Sequence, residues 1–95
     1  MKIILEDKKY NFYGCALTYD AGIELLRLFR SSSYLSLDYD LGGEETGYDI
    51  LVYMAENGIR TDHINIHSDL SVGVPRMREF VCEHFPNTTL TFNSL

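Results

Sequence analysis

Short apolar runs alternate with longer amphipathic segments along this chain, and the alternation constrains the fold more than any other feature. The runs have the length and composition of β-strands, and they cover residues 3–5, 13–17, 34–37, 63–66 and 88–92. After the first two runs, each following run is preceded by a segment with helical spacing. The order β-β-α-β-α-β-α-β predicts a single α/β domain over residues 1–95, built on a mostly parallel five-stranded sheet.

Boundary residues support the three predicted helices. Asp20 is a good N-cap for the first helix and Thr46 for the second, while Pro75 suits the first turn of the third. Gly58 and Pro86 predict where the second and third helices end.

The net charge of −6 comes from fourteen acidic and eight basic residues, and it is unevenly distributed. Residues 1–33 sum to +1 (five basic, four acidic), whereas residues 34–95 sum to −7 (three basic, ten acidic). This balance argues against a general DNA-binding surface and against docking on anionic membranes. No apolar run is long enough to cross a bilayer. The acidic excess fits either a solubilising surface or a cation site, and the sequence pattern alone leaves both open.

The two cysteines lie far apart, and neither has metal-ligand spacing. Cys15 and Cys82 each stand inside an apolar stretch, so we expect buried thiols in a reducing, cytoplasmic environment.

Polar side chains follow three of the predicted strands where each strand ends: Glu6-Asp7, Asp38 with Asp40, and His67-Ser68. Ligands of open α/β sheets bind outside the carboxyl ends of the strands. Residues two apart in an extended segment point the same way, so Asp38 and Asp40 could face one ligand. Carboxylate oxygens suit Mg²⁺ or Mn²⁺. The competing interpretation is that an aspartate after a strand is a common turn former.

His67, Ser68 and Arg76 are the remaining candidates for the chemistry. A histidine beside carboxylates could serve as a general acid or base, and a serine hydroxyl could donate to a phosphoryl oxygen. Arg76 stands at the start of the third predicted helix, where an anion is favoured. A histidine in an apolar strand can equally be a packed residue, and that alternative stays open.

Two blocks of sequence resemble a known family. They are Ser36-Leu37-Asp38-Tyr39-Asp40-Leu41-Gly42 with Thr46-Gly47-Tyr48-Asp49, and His67-Ser68 through Gly73 to Met77. The family is the cyclic-phosphate processing receiver domain, and the resemblance extends from Lys2 to about Phe85.

The resemblance implies a small flavodoxin-like or receiver-like three-layer sandwich that lacks the first and last helices of a full receiver. It implies metal-dependent hydrolysis of a cyclic phosphate on a nucleotide or an RNA terminus. Glu6, Asp7 and Asp38 would then hold Mg²⁺ or Mn²⁺. The implied catalytic residues are Asp38, Asp40, His67 and Ser68, and Ser68 and Arg76 would bind the phosphate.

The sequence also departs from the family pattern. Tyr39 replaces a histidine, Leu70-Ser71 replaces Asn-Pro, and Val74 replaces a basic residue that often follows the glycine. These departures leave open a non-enzymatic signalling or interaction module. Seven tyrosines, five phenylalanines and an uncovered sheet edge point to a homodimer as one such use.

Overall fold

The computed structural model describes residues 2–67 and 73–93, which form short elements around one hydrophobic core. In chain order these are β1 (Ile3–Asp7), β2 (Phe12–Ala16), α1 (Tyr19–Leu28), β3 (Ser31–Ser32), β4 (Tyr34–Leu37), α2 (Gly47–Asn57), β5 (Arg60–Thr61), β6 (His63–His67), α3 (Val74–His84) and β7 (Thr89–Asn93). The predicted α/β class, the three helices and the five-stranded sheet are confirmed. The additional short pair β3–β5 is not among the predicted elements.

The main sheet has the strand order β2-β1-β4-β6-β7 and is mixed rather than mostly parallel. The pairs β4–β6 and β6–β7 are parallel, whereas β1 is antiparallel to both of its neighbours. The loop between β1 and β2 spans only residues 8–11, which is too short for a parallel crossover. Because α1 connects β2 to β4 as a parallel unit, β1 must run against both strands.

The three helices pack on one face of the sheet, so the described chain has two layers instead of the predicted three. The crossovers from β2 to β4, from β4 to β6 and from β6 to β7 all step in the same direction across the sheet. Right-handed crossovers in one direction place their helices on the same side. The side chains of that face are fully or almost fully buried: Ile3, Leu5, Leu35, Leu37, Ile64 and Ile66. Gly22 of α1 packs so closely on this face that a Cβ there would lie 2.4 Å from Ile3 Cδ1.

Polar side chains occupy the second face of the sheet and bond to one another across strands. His63 Nε2 lies 2.7 Å from Thr91 Oγ1, and that hydroxyl donates to Asn65 Oδ1 over 2.7 Å. The chain of contacts joins β6 to β7 on the face without helices. It explains how Asn65 can be buried in the middle of the sheet without an unsatisfied amide oxygen.

The helix boundaries confirm the predictions for Thr46, Gly58, Pro75 and Pro86 and correct the one for Asp20. Thr46 and Asp49 form a reciprocal capping box at the start of α2, and Gly58 ends that helix in the left-handed region at φ 66°. Thr18, not Asp20, caps α1, because its side chain accepts a hydrogen bond from the Ala21 N–H. Asp20 lies within the first turn, where its charge still favours the helix N-terminus.

The expectation of buried thiols is wrong, since both Cys15 and Cys82 are exposed. Cys15 lies on an edge strand facing away from the helices, and its Sγ is 3.6 Å from Tyr13 Oη. None of the described helices is long and apolar enough to span a bilayer.

Candidate functional site

Asp38 and His67 meet where two neighbouring parallel strands end. Leu37 of β4 pairs with Ile66 of β6, so the next residue of each strand emerges at the same edge of the sheet. His67 Nδ1 lies 3.5 Å from Asp38 Oδ1. Both side chains are half-buried, with 31% of His67 and 24% of Asp38 exposed. The predicted proximity of these two residues is therefore present in the structure.

The Asp38 carboxylate is held in an unfavourable environment for a charge. Burial raises its pKa above the ordinary aspartate value, and the nearby positive charges of His67 and Lys2 offset only part of that effect. Oδ1 is buried and accepts no hydrogen bond from the residues that the structure describes. A buried carboxylate oxygen without a donor costs stability, which proteins tolerate mainly where the group has a function.

Replacement of Asp38 by asparagine is expected to stabilise the fold at neutral pH by about 1 kcal/mol, because the buried charge is removed. A raised folded-state pKa means that protonation favours the folded state, so the cost of the native charge develops as the pH rises from 3.8 to the raised pKa and is constant above it. The gain of Asp38→Asn should therefore be largest near pH 7 and vanish below the ordinary value of 3.8. Urea unfolding of both proteins across this range measures it, and an equal or lower stability of the variant at pH 7 would contradict it.

Two glycines bring the N-termini of α2 and α3 against Asp38 and Tyr39. A Cβ on Gly47 would lie 2.3 Å from the Asp38 carbonyl oxygen, and the Gly47 N–H donates to the Tyr39 carbonyl over 2.8 Å. A Cβ on Gly73 would lie 2.1 Å from the Tyr39 ring. Gly73 has φ −89°, so a glycine is needed there for this close approach and not for a positive φ. Both helix N-termini therefore face the edge of the sheet where Asp38 lies.

Asp40 lies close to Asp38 but has a structural role in its loop. Its Oδ1 accepts a hydrogen bond from the Gly42 N–H over 2.8 Å, and Asp40 forms an isolated β-bridge with Thr46. Gly42 takes φ 82°, a left-handed conformation that favours glycine. One carboxylate oxygen of Asp40 is thus engaged in the turn, and the negative charge of the group contributes to the raised pKa of Asp38.

Lys2 is the residue at this site that sequence reasoning missed. Its carbonyl accepts a hydrogen bond from the Asp38 N–H over 2.9 Å, and its ammonium lies beside Gly42, where a Cβ would be only 2.6 Å from Nζ. The charge of Lys2 lowers the pKa of Asp38. The antiparallel direction of β1 brings the start of this strand, and with it a cation, to the site.

The same strand direction carries Glu6 and Asp7 away from Asp38, so the expectation that these acids meet is wrong. Glu6 pairs with Tyr34, four residues before Asp38, which corresponds to about 14 Å along the strand. Asp7 is buried at that far end, where its Oδ1 accepts a hydrogen bond from the Lys9 N–H over 3.0 Å and shapes the hairpin turn.

Arg76 lies in the first turn of α3, at the predicted end of the sheet. Its guanidinium stacks over the Tyr48 ring, 4.3 Å from the ring centroid, on the neighbouring helix. Its assignment to phosphate binding stays a prediction. Ser68 and the Leu70-Ser71 departure lie outside the described residues.

The described residues do not fit the metal site that the resemblance implies. Among residues 2–67 and 73–93, no three His, Cys, Asp or Glu side chains are grouped so that they could hold a metal ion. The implied ligands Glu6, Asp7 and Asp38 lie at opposite ends of the sheet. A small, rigidly coordinated ion such as Mg²⁺ cannot bridge such a distance.

The comparison with protein families agrees with the resemblance carried by the two sequence blocks. The sequence profile of the cyclic-phosphate processing receiver domain matches residues 1–83. No match was found among curated proteins or among solved structures. The matched segment includes β1, the loop that follows β4 and nearly all of α3. The chain therefore belongs to the cyclic-phosphate processing receiver domain family.

Proposed function

We propose that the site formed by Asp38, His67 and Lys2 hydrolyses a cyclic phosphate on a nucleotide or an RNA terminus. The observation that carries the proposal is the contact between His67 Nδ1 and the half-buried Asp38 carboxylate at the carboxyl ends of adjacent parallel strands. Membership of a cyclic-phosphate processing family supports the substrate class.

Asp38 and His67 can provide acid–base catalysis together. This mechanism requires the ring proton of His67 to be on Nδ1, which lies 3.5 Å from Asp38 Oδ1 without a hydrogen bond in this structure. The other ring nitrogen then carries a lone pair and can accept a proton from water. The water oxygen then forms a bond to phosphorus, and one of the two ring P–O bonds breaks. The imidazolium returns the proton to the departing ring oxygen, so water and the cyclic diester give a phosphate monoester.

Positive groups are required because two aspartates at this edge would otherwise repel a phosphate. Lys2 supplies a cation beside the Asp38–Gly42 loop, and the N-termini of α2 and α3 supply backbone dipoles oriented toward the same edge. Since the implied Mg²⁺ ligands do not assemble, we assign no step to a metal ion.

Incubation with 2′,3′-cyclic nucleotides and with RNA ending in a cyclic phosphate tests the activity and its metal dependence together. Parallel reactions contain EDTA, Mg²⁺ or Mn²⁺, and ³¹P NMR follows the conversion of the cyclic diester to the monoester. We expect turnover that persists in EDTA.

Turnover that appears only with Mg²⁺ or Mn²⁺ would contradict the proposal that hydrolysis proceeds without a metal ion. It would indicate a metal site with ligands other than Glu6, Asp7 and Asp38 together. No turnover under any condition would contradict hydrolysis itself. In that case an intact-mass adduct on Asp38 after treatment with acetyl phosphate would assign the site to signalling.

A further inference from the structure

Strand β2 forms one edge of the main sheet in the part of the chain that the structure describes. Its partner is β1, in an uninterrupted antiparallel register from Phe12 to Ala16, and it stands first in the strand order of the sheet. The backbone N–H and C=O groups of alternate residues therefore point outward, where another strand can bond to them.

The edge lacks the features that normally prevent strand pairing. Residues 10–19 contain no charged residue, histidine or proline, and the register with β1 contains no bulge. Large apolar or aromatic side chains are exposed along the same segment: Tyr10 at 65%, Tyr13 at 56% and Leu17 at 63%. Exposed apolar surface concentrated on one strand is typical of an interaction site.

The opposite edge of the sheet is better protected. Strand β7 also lacks charged residues of its own, but the Arg78 guanidinium lies 5.8 Å from the centre of the exposed Phe92 ring. A charge held against an edge strand opposes pairing with another strand. The comparable contact at the other edge, Lys9 Nζ at 5.5 Å from the Tyr10 ring centroid, lies in the turn before β2 and not on the strand itself. We therefore expect β2 to be the edge that pairs.

We infer that two copies of this chain associate through β2, in antiparallel pairing that joins the two five-stranded sheets. Each copy carries a net charge of −6, so two copies repel each other. Close contact between them is least opposed where the surfaces that meet carry no charged side chains. The segment 10–19 is such a surface. Antiparallel pairing of β2 with β2 of a second copy is related by a two-fold axis, and it covers this strand in both copies. Association through β2 therefore stops at a dimer. The inference is independent of the proposed hydrolysis.

Light scattering after size-exclusion chromatography, under reducing conditions and at chain concentrations up to about 100 μM, tests the association. We expect a dimer for the native chain and a monomer for Tyr13→Lys. Antiparallel pairing about Gly14 brings the two copies of residue 13 to the same sheet face within two residues of each other, so two lysines there would repel. Leu28→Lys is the matched control, since Leu28 is a 76% exposed apolar residue on α1. Circular dichroism verifies that both variants remain folded.

A native chain that stays monomeric at the highest concentration would overturn the inference. A dimer that survives Tyr13→Lys, or one that Leu28→Lys also dissociates, would place the interface elsewhere and overturn it equally.

Crosslinking locates the interface by a second route. Antiparallel pairing about Gly14 brings the two Cys15 side chains to the same sheet face, within two residues of each other across the new strand pair. A short bismaleimide should therefore link the Cys82→Ser variant into a dimer and leave the Cys15→Ser variant unlinked. Linking of Cys15→Ser alone would contradict the assignment to β2.

Discussion

Replacement of His67 by glutamine is expected to lower the rate of cyclic-phosphate hydrolysis by about 10²–10⁴-fold, the usual contribution of a positioned general base. Glutamine keeps a polar side chain of similar length beside Asp38 but does not exchange protons near neutral pH. The folded state should change little, because 31% of the His67 side chain is exposed. Single-turnover kinetics with a 2′,3′-cyclic nucleotide measures the loss.

His84→Gln is the matched control, since that histidine lies in the last turn of α3 and is exposed. It should retain native turnover. The double variant His67→Gln with Asp38→Asn should be no slower than His67→Gln alone, because residues that act as one unit are not additive. A further large loss in the double variant would show that Asp38 does not act through the imidazole. Less than a tenfold loss in His67→Gln would show that His67 is not the general base.

Replacement of Gly47 by alanine is expected to destabilise the fold by about 2–3 kcal/mol, as in other overpacked cores. The added Cβ would lie 2.3 Å from the Asp38 carbonyl oxygen and 2.9 Å from Met77 Cε. The nearer atom belongs to the backbone of the site and cannot rotate away. Intrinsic helix propensity favours alanine over glycine by up to about 1 kcal/mol, so the expected sign is opposite to that of propensity.

Thermal unfolding measures this effect, with an expected fall in Tm of about 10–20 °C for a chain of this size. Gly43→Ala is the control, because a Cβ there meets no atom within 4 Å and Gly43 is not in the left-handed region. Its Tm should change by no more than about 2 °C. An equal or higher Tm for Gly47→Ala would refute the tight contact between α2 and Asp38.

Local signals in the sequence predict the three helices and the five strands of the main sheet, but not the short β3–β5 pair, and they predict that Asp38 and His67 lie close together. Thr46 and Gly58 define α2 through capping, and these depend on neighbouring residues alone. The proximity of Asp38 and His67 follows from two consecutive parallel strands, whose carboxyl ends share an edge.

The direction of β1 required a step that strand patterns alone do not contain. A run such as 3–5 has the same composition whether its strand runs up or down the sheet, so Glu6 and Asp7 were assigned to the wrong end. The length of the loop at residues 8–11 holds the missing information, because it forces a hairpin and thereby reverses β1 against β4. The same argument from the sequence would have found Lys2.

Other features depend on contacts between distant residues, which neither periodicity nor spacing predicts. The close approach of Gly73 to the Tyr39 ring joins residues 34 positions apart in the chain. The number of layers depends on whether successive crossovers reverse direction across the sheet. Here they all step in one direction, which places the helices on one face, whereas the resemblance to a three-layer fold implied helices on both faces.

Because β1 is antiparallel to β4, the packing of its apolar side chains in the core determines which charged residue lies beside Asp38. Ile3 is fully buried and pairs with Leu37, and this pairing alone determines that Lys2 comes opposite Asp38. A slip of one residue would turn Ile3 and Leu5 out of the core. Apolar side chains that never touch a ligand thus decide where the cation stands, and a core mutation that loosens this register would alter the charge of the site without changing any residue in it.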